Sequence, residues 1–269
     1  LGNNTALAAG VADRFYQPRY QTLEAEVLAR KRIFENLQLV IGPYYYHYSA
    51  TAAGNQHTIL ANPQLSGFKP EDVFTSRSYF GGKAALRLDN RNNTFFPTRG
   101  ISWNNQLFVL AGVQGKSSGF NAFTSDMKVY ASLSDPAKVV AVLHFGGGKI
   151  FNKNFAYFQA MSFGANNGLL AFHKNRYAGK SSLYSGLELK VKLGDLNGFF
   201  IPGALGITGF YNAGRVWYPA DNGGSWHGGY GFGMYFNPLN LISVSATAGF
   251  SDKERFYSIS IGSRLHLLF

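Results

Sequence analysis

The strongest constraint on this chain is a period of two. In the C-terminal stretch FYSISIGSRLHLLF (256–269), Tyr257, Ile259, Ile261, Leu265, Leu267 and Phe269 fall on one side of an extended backbone. Ser258, Ser260, Gly262, Arg264 and His266 fall on the other. Side chains alternate across a strand, so one face meets something apolar and the other something wet. The same alternation recurs upstream. Leu187, Leu189, Val191 and Leu193 alternate with Glu188, Lys190 and Lys192, and Ile242, Val244, Ala246, Ala248 and Phe250 alternate with Ser243, Ser245, Thr247 and Gly249. Met127, Val129, Ala131 and Leu133 alternate with Lys128, Tyr130 and Ser132, and Ala84, Leu86 and Leu88 with Lys83, Ala85 and Arg87.

These patterns predict strands over 5–13, 20–30, 37–49, 78–89, 101–114, 120–134, 138–151, 181–194, 203–217, 227–237, 241–251 and 256–269, separated by turn signals such as RNNTFFPTRG, SDPAK and NPLN. Most are about twice the ~5–6 residues usual for soluble strands. Long one-sided strands joined alternately by tight turns and long loops are the pattern of a membrane β-barrel. A soluble sandwich would have shorter strands with its apolar faces turned inward. The expected fold is all-β: a transmembrane antiparallel barrel of about 12 strands, forming a single domain over 1–269. In lipid the sheet has to close, because the bilayer core offers no partners for a free edge.

Composition narrows the class further. The 269 residues hold no Cys, 32 Gly, 16% aromatics and a net charge of +11. The lack of Cys excludes a disulfide scaffold or a Cys-ligated zinc site. Mean hydropathy is −0.09, far too polar for a helical membrane bundle. Apart from the triplet Arg30-Lys31-Arg32, Lys and Arg occur mostly singly inside alternating segments rather than in long runs, which suits a polar lumen or anionic lipid head groups better than nucleic acid. Aromatics in GPYYYHY (42–48), FYNAGRVWY (210–218) and YGFGMYF (230–236) are expected to form interfacial girdles. If the terminal Phe269 marks the periplasmic rim, then 50–77, 115–120, 152–180, 218–226 and 252–255 face outward and 31–36, 90–100, 135–137, 195–202 and 238–240 face the periplasm. The longest connections then share one end, as such barrels require.

Specific residues carry a family resemblance. LDNRNNTFFPTRGISW (88–103) resembles the D-x-R-x-x-x-x-F-P-T-x-G turn of the BamA/TamA superfamily of outer-membrane insertases and translocators, with Asp89, Pro97 and Gly100 at its marked positions. FGANNGLLAFHKNRYAGK (163–180) is similar to that family's long sixth extracellular loop, with its L-R-G-F-R-x-x-R-F-x-G pattern. GFYNAGRVW (209–217) is similar to the F-x-D-x-G strand motif, placing Phe210, Asn212 and Gly214 on the inner wall. The resemblance implies that the loop folds back into the lumen, where the RGF arginine meets the acidic residue of the strand motif. This chain departs at both ends of that contact. Leu170 and Ala171 replace Arg and Gly, and Asn212 replaces Asp. The usual ion pair is therefore expected to be absent, with the loop (Leu170, Ala171, Phe172, His173, Arg176, Tyr177) held by Phe172, Arg176 and Tyr177. The family carries POTRA modules before a sixteen-stranded barrel. The expectation here is a barrel of about twelve strands without POTRA modules in this chain, or of sixteen if residue 1 is a fragment boundary.

Catalytic signatures are weak. The six His form no HExxH and no pair at ligand spacing, and GGYGFG and FGGGK lack the strand–loop–helix context of a phosphate loop. No GxSxG elbow occurs. Glu24 and Glu26 share a face and are expected to meet Lys or Arg across the lumen. The chain is expected to be a non-enzyme of the bacterial outer membrane, without cofactor or metal. Its expected partners are outer-membrane lipids including lipopolysaccharide, client polypeptides, other outer-membrane proteins or a second copy of itself. Three functions stay open: outer-membrane protein assembly or translocation, a plugged structural or interaction barrel, and a passive pore.

Overall fold

The computed structural model describes residues 18–62, 70–114, 117–196, 202–218, 225–239, 242–251 and 254–263. Twelve strands make one antiparallel sheet: β1 (Gln21–Glu26), β2 (Ala29–Phe34), β3 (Leu37–Ser49), β4 (Arg77–Asp89), β5 (Gly100–Gln114), β6 (Phe120–Ser132), β7 (Val139–Ile150), β10 (Ser181–Leu196), β11 (Gly203–Trp217), β12 (His227–Pro238), β13 (Ile242–Ser251) and β14 (Arg255–Ser263). β1 and β2 both pair with β3, and from β3 onward each strand of this sheet pairs with the next. A separate two-stranded hairpin, β8 (Met161–Phe163) with β9 (Tyr177–Gly179), lies within the β7–β10 connection. The expected strand at 5–13 and the terminal Phe269 fall outside the described residues. Among the described residues no ladder joins β14 to β1 or β2.

The strand expected over 20–30 is two pieces lying end to end along β3, and it runs on to Phe34 through most of the expected 31–36 turn. Both pieces keep one register: Glu26 faces Tyr44 and Ala29 faces Ile41. The break falls opposite Pro43. Val27 N–H reaches the Pro43 carbonyl at 3.3 Å, but proline has no N–H to return the second bond of that pair.

Alternation sorts the sheet into two faces. Outward stand Leu143, Phe145, Leu187, Leu189, Ile207, Tyr211, Phe232, Met234, Ile259 and Ile261, all exposed. Inward stand Val142, His144, Tyr184, Thr208, Phe210 and Asn212, all buried. An apolar exterior around a partly polar interior is the inverse of a soluble core, and it fits a barrel wall facing lipid. The sheet wraps around residues 151–180, which touch β3 and β4 on one side and β11 to β14 on the other. Connections 50–76, 115–119, 151–180, 218–226 and 252–254 share one end, and the tighter turns share the other.

One expectation needs correcting. GPYYYHY does not form a lipid-facing girdle as a block. Tyr44 and Tyr48 are buried on the inner face, whereas Tyr45 lies on the other, with its hydroxyl 3.2 Å from Ser78 Oγ. Consecutive tyrosines must alternate across the sheet, so only every second one could reach the interface.

Candidate functional site

The 151–180 segment enters the lumen as a packed element and makes three apolar seats. Phe158 stacks on Tyr48 with ring centroids 3.8 Å apart and planes 7° apart, beside Tyr46 and Tyr79. Met161 packs on Ala122 and Ile150. Phe163, Leu169, Ala171, Phe172 and Tyr177 join Tyr184, Phe210 and Val216 of the wall in one buried cluster. Tyr177 also stacks on His227 at 3.9 Å. The Tyr157 and Tyr48 hydroxyls lie 2.5 Å apart, and burial pushes the Tyr157 phenol up, so this contact stays neutral at physiological pH.

Polar contacts fix the register of the inserted segment. Ala171 N–H donates to Asn212 Oδ1 at 3.1 Å, joining two of the positions singled out in the sequence. The neutral Asn therefore holds the loop backbone where the family pattern would hold a side chain. Leu170 packs against the apolar cluster instead of presenting a charge. A buried ion pair nevertheless holds the segment elsewhere. Arg176 Nε donates to Glu254 Oε1 at 2.5 Å, with side chains 7% and 5% exposed. Glu254 belongs to the β13–β14 connection, and its other oxygen lies 3.4 Å from His173 Nε2. His173 in turn packs against Phe256 of β14. Arg176, His173, Glu254 and Phe256 thus tie the inserted segment to the last hairpin of the sheet. A charge-assisted bond this well buried is strong and directional.

The wall is shaped for this guest. A Cβ on Gly229 would lie 2.7 Å from Ala171 Cβ, and one on Gly249 would lie 2.4 Å from the Leu170 carbonyl oxygen. On Gly214 it would meet the Phe163 ring at 2.9 Å. Glycine lets two backbones approach where any side chain would intervene.

Beyond the seat the lumen is polar. Asp126 accepts the Tyr184 hydroxyl at 2.9 Å and lies 2.7 Å from His144 Nε2, while Asn167 of the inserted segment donates to the Tyr184 hydroxyl at 3.3 Å. Thr208 donates to Glu188, which also lies near Lys190. The cavity left among Lys128, His144, Glu188, Lys190, Phe210 and Asn212 is about 100 Å³, room for a few waters at most. Glu26 meets Lys83 at 2.7 Å, but along the same wall rather than across the lumen, since β1 and β4 both flank β3, and Glu24 accepts from the Tyr44 hydroxyl with no cation in ion-pair range among the described residues.

The turn at 89–100 is densely cross-linked by hydrogen bonds. Asp89 takes a forked contact from Arg91, at 2.8 Å to Nε and 2.7 Å to Nη2. Asn90, Asn92 and Asn93 accept backbone N–H groups across the turn. Gly100 has φ +110°, a conformation disfavoured for other residues, and Pro97 sits within the same turn. Thus the loop and inner-wall positions converge on one seat, while Asp89, Pro97 and Gly100 form a separate element at the opposite end. Glu254 was missed because nothing local marks it. It reads as one acid in the turn SDKER, and only the fold brings it to Arg176.

Comparison with known proteins agrees with this architecture. The family model described as the Omp85 superfamily domain matches residues 6–245. The crystal structure of BamA from Haemophilus ducreyi lacking POTRA domains 1-3 is similar at a TM-score of 0.61 and 15% identity, over 90% of this chain and 55% of that one. The chain thus spans about half the length of that structure, and the likeness is one of fold. No curated protein sequence matches.

Proposed function

Because the chain belongs to the Omp85 superfamily, and so is an outer-membrane barrel protein, we propose that it handles polypeptides at that membrane, in assembly or translocation, with the 151–180 segment as its lumen seal. The observation that carries this reading is the seated loop and its anchors. The family-pattern charges at 170 and 212 are gone, yet Asn212 still binds the loop backbone and Arg176–Glu254 supplies a buried ion pair. Retaining a seated loop by new chemistry is what continued use of the loop would produce. A passive pore would have little use for a segment that leaves a cavity of only about 100 Å³ beside it.

The test reconstitutes the purified chain into planar bilayers and into liposomes supplied with an unfolded outer-membrane barrel substrate. The proposal expects low basal conductance, large steady currents after deletion of 165–178, and faster protease-protected insertion of the substrate with the intact chain than with empty liposomes. A silent barrel that never accelerates insertion would refute the assembly role. That result would favour the second reading, a plugged structural barrel, which is supported by the three apolar seats that fix the segment against both walls.

A further inference from the structure

The outward face near the loop end carries a feature that a lipid-facing wall should avoid. Lys149 on β7 pairs in register with Phe123 on one side and Ser181 on the other, and Ser181 pairs with Trp217. Phe123 and Trp217 are exposed large hydrophobics, so this row lies on the outside of the barrel. Two residues along β11, Arg215 faces the exposed Leu183 and lays its guanidinium over the Trp217 indole at 5.1 Å. Neither cation makes an ion pair with a described carboxylate. The Arg215 Nε is buried and has no hydrogen-bond partner among the described residues.

Cations on a lipid face are strongly unfavourable at the bilayer midplane and nearly neutral at the interface. Lys149 lies next to the last residue of β7, and Arg215 two residues from the end of β11, both at the loop end. Trp217 is a residue type that settles at head-group depth. Strand spacing of about 4.8 Å puts the Lys149 and Trp217 Cα atoms roughly 10 Å apart, a gap their neighbours' side chains can close around one anion. A guanidinium offers a planar fork suited to phosphate, and the lysine adds a point charge.

We propose that Lys149, Ser181, Arg215 and Trp217 form an outward-facing site for the phosphate of a lipid head group in the leaflet at the loop end. The site requires that the barrel sit in a membrane. It does not depend on the assembly role or on the lumen seal. Lys149 and Arg215 grip the phosphate from two strands, the Ser181 hydroxyl lies between them, and Trp217 packs against the sugar or glycerol above the acyl chains.

The experiment titrates the purified full chain in a non-ionic detergent with bisphosphorylated lipid A, its dephosphorylated analogue, phosphatidylcholine and inorganic phosphate, counting adducts by native mass spectrometry. The expected result is one saturable adduct with the phosphorylated lipid. It weakens at least tenfold in K149Q/R215Q and returns in K149R/R215K, and millimolar inorganic phosphate does not displace it. Equal binding by wild type and K149Q/R215Q, equal binding of the dephosphorylated lipid, or full displacement by millimolar phosphate would each overturn the proposal. If K149Q/R215Q does not fold, the comparison of phosphorylated with dephosphorylated lipid on the wild type decides alone. Substrate insertion can succeed or fail independently of this adduct, so failure of either idea is separately visible.

Discussion

Replacing Glu254 with Ala removes the carboxylate that the Arg176 guanidinium meets at a site where the arginine side chain is only 7% exposed. Removing one partner of a buried pair typically costs about 3–5 kcal/mol. The inserted segment can leave the lumen, so the guanidinium does not have to stay buried. The free energy should therefore appear as a shift from seated to unseated loop, with the strand ladders intact. At about 1.4 kcal/mol per factor of ten, the open population should rise by roughly two to three and a half orders of magnitude, up to saturation. Arg176→Ala leaves the buried Glu254 carboxylate with His173 at 3.4 Å, and should open the loop somewhat less. The double replacement R176M/E254L removes both charges and fills the space, so it should lie much closer to wild type than either single change. Single-channel recording in planar bilayers reads open probability directly, and heat-modifiability on gels reports whether the barrel is still folded. If E254A, R176A and the double variant all stay as quiet as wild type, or if their effects simply add, the pair does not hold the seat and the reasoning fails.

Gly249→Ala puts a methyl 2.4 Å from the Leu170 carbonyl, so it should unseat the loop and raise conductance, whereas Gly209→Ala, with nothing within 4 Å of its Cβ, should leave recordings unchanged. Asn212→Asp buries a carboxylate at a 4%-exposed position, with the Ala171 N–H the donor in place there, and should lower thermal stability by about 1–3 kcal/mol equivalent, with L170R/N212D recovering much of that loss. Phe158→Ala should loosen the opposite seat, and a double-mutant cycle with Tyr48→Ala should show a coupling of about 0.5–1.5 kcal/mol, reflecting the stacked rings at 3.8 Å. Pro43→Ala restores a backbone donor opposite Val27 and should slow amide exchange across the gap between β1 and β2.

Much of the wall could be read directly from the chain. Alternation in 181–194 and 256–263 placed Leu187 and Ile259 on the apolar face, and Glu188 and Ser258 on the polar one, because side-chain direction in a strand depends only on residue parity. The position of the lumen-entering loop and its contact with the wall at Asn212 were also legible, through motif order and spacing. Two readings went astray for a common reason. GPYYYHY looked like a belt, and Glu24 looked like a partner for a cation, because composition says what a residue is but not which neighbours a register provides. Pro43 shows the limit from the other side: its missing donor is visible in the sequence, but its effect on β1 and β2 depends on Val27 lying opposite.

The fold class and the facing of the strands were legible in the chain alone, since both follow from local periodicity and the lengths of the connections, whereas the segment that enters the lumen was implied only by its family resemblance. The partners that hold that segment emerge only from the fold. Arg176 and Glu254 are 78 residues apart, and Lys149 meets Trp217 only across an intervening strand. Charges so distant in the chain find each other because the rolled sheet brings the β13–β14 connection over the loop, and local pattern carries no information about such pairs.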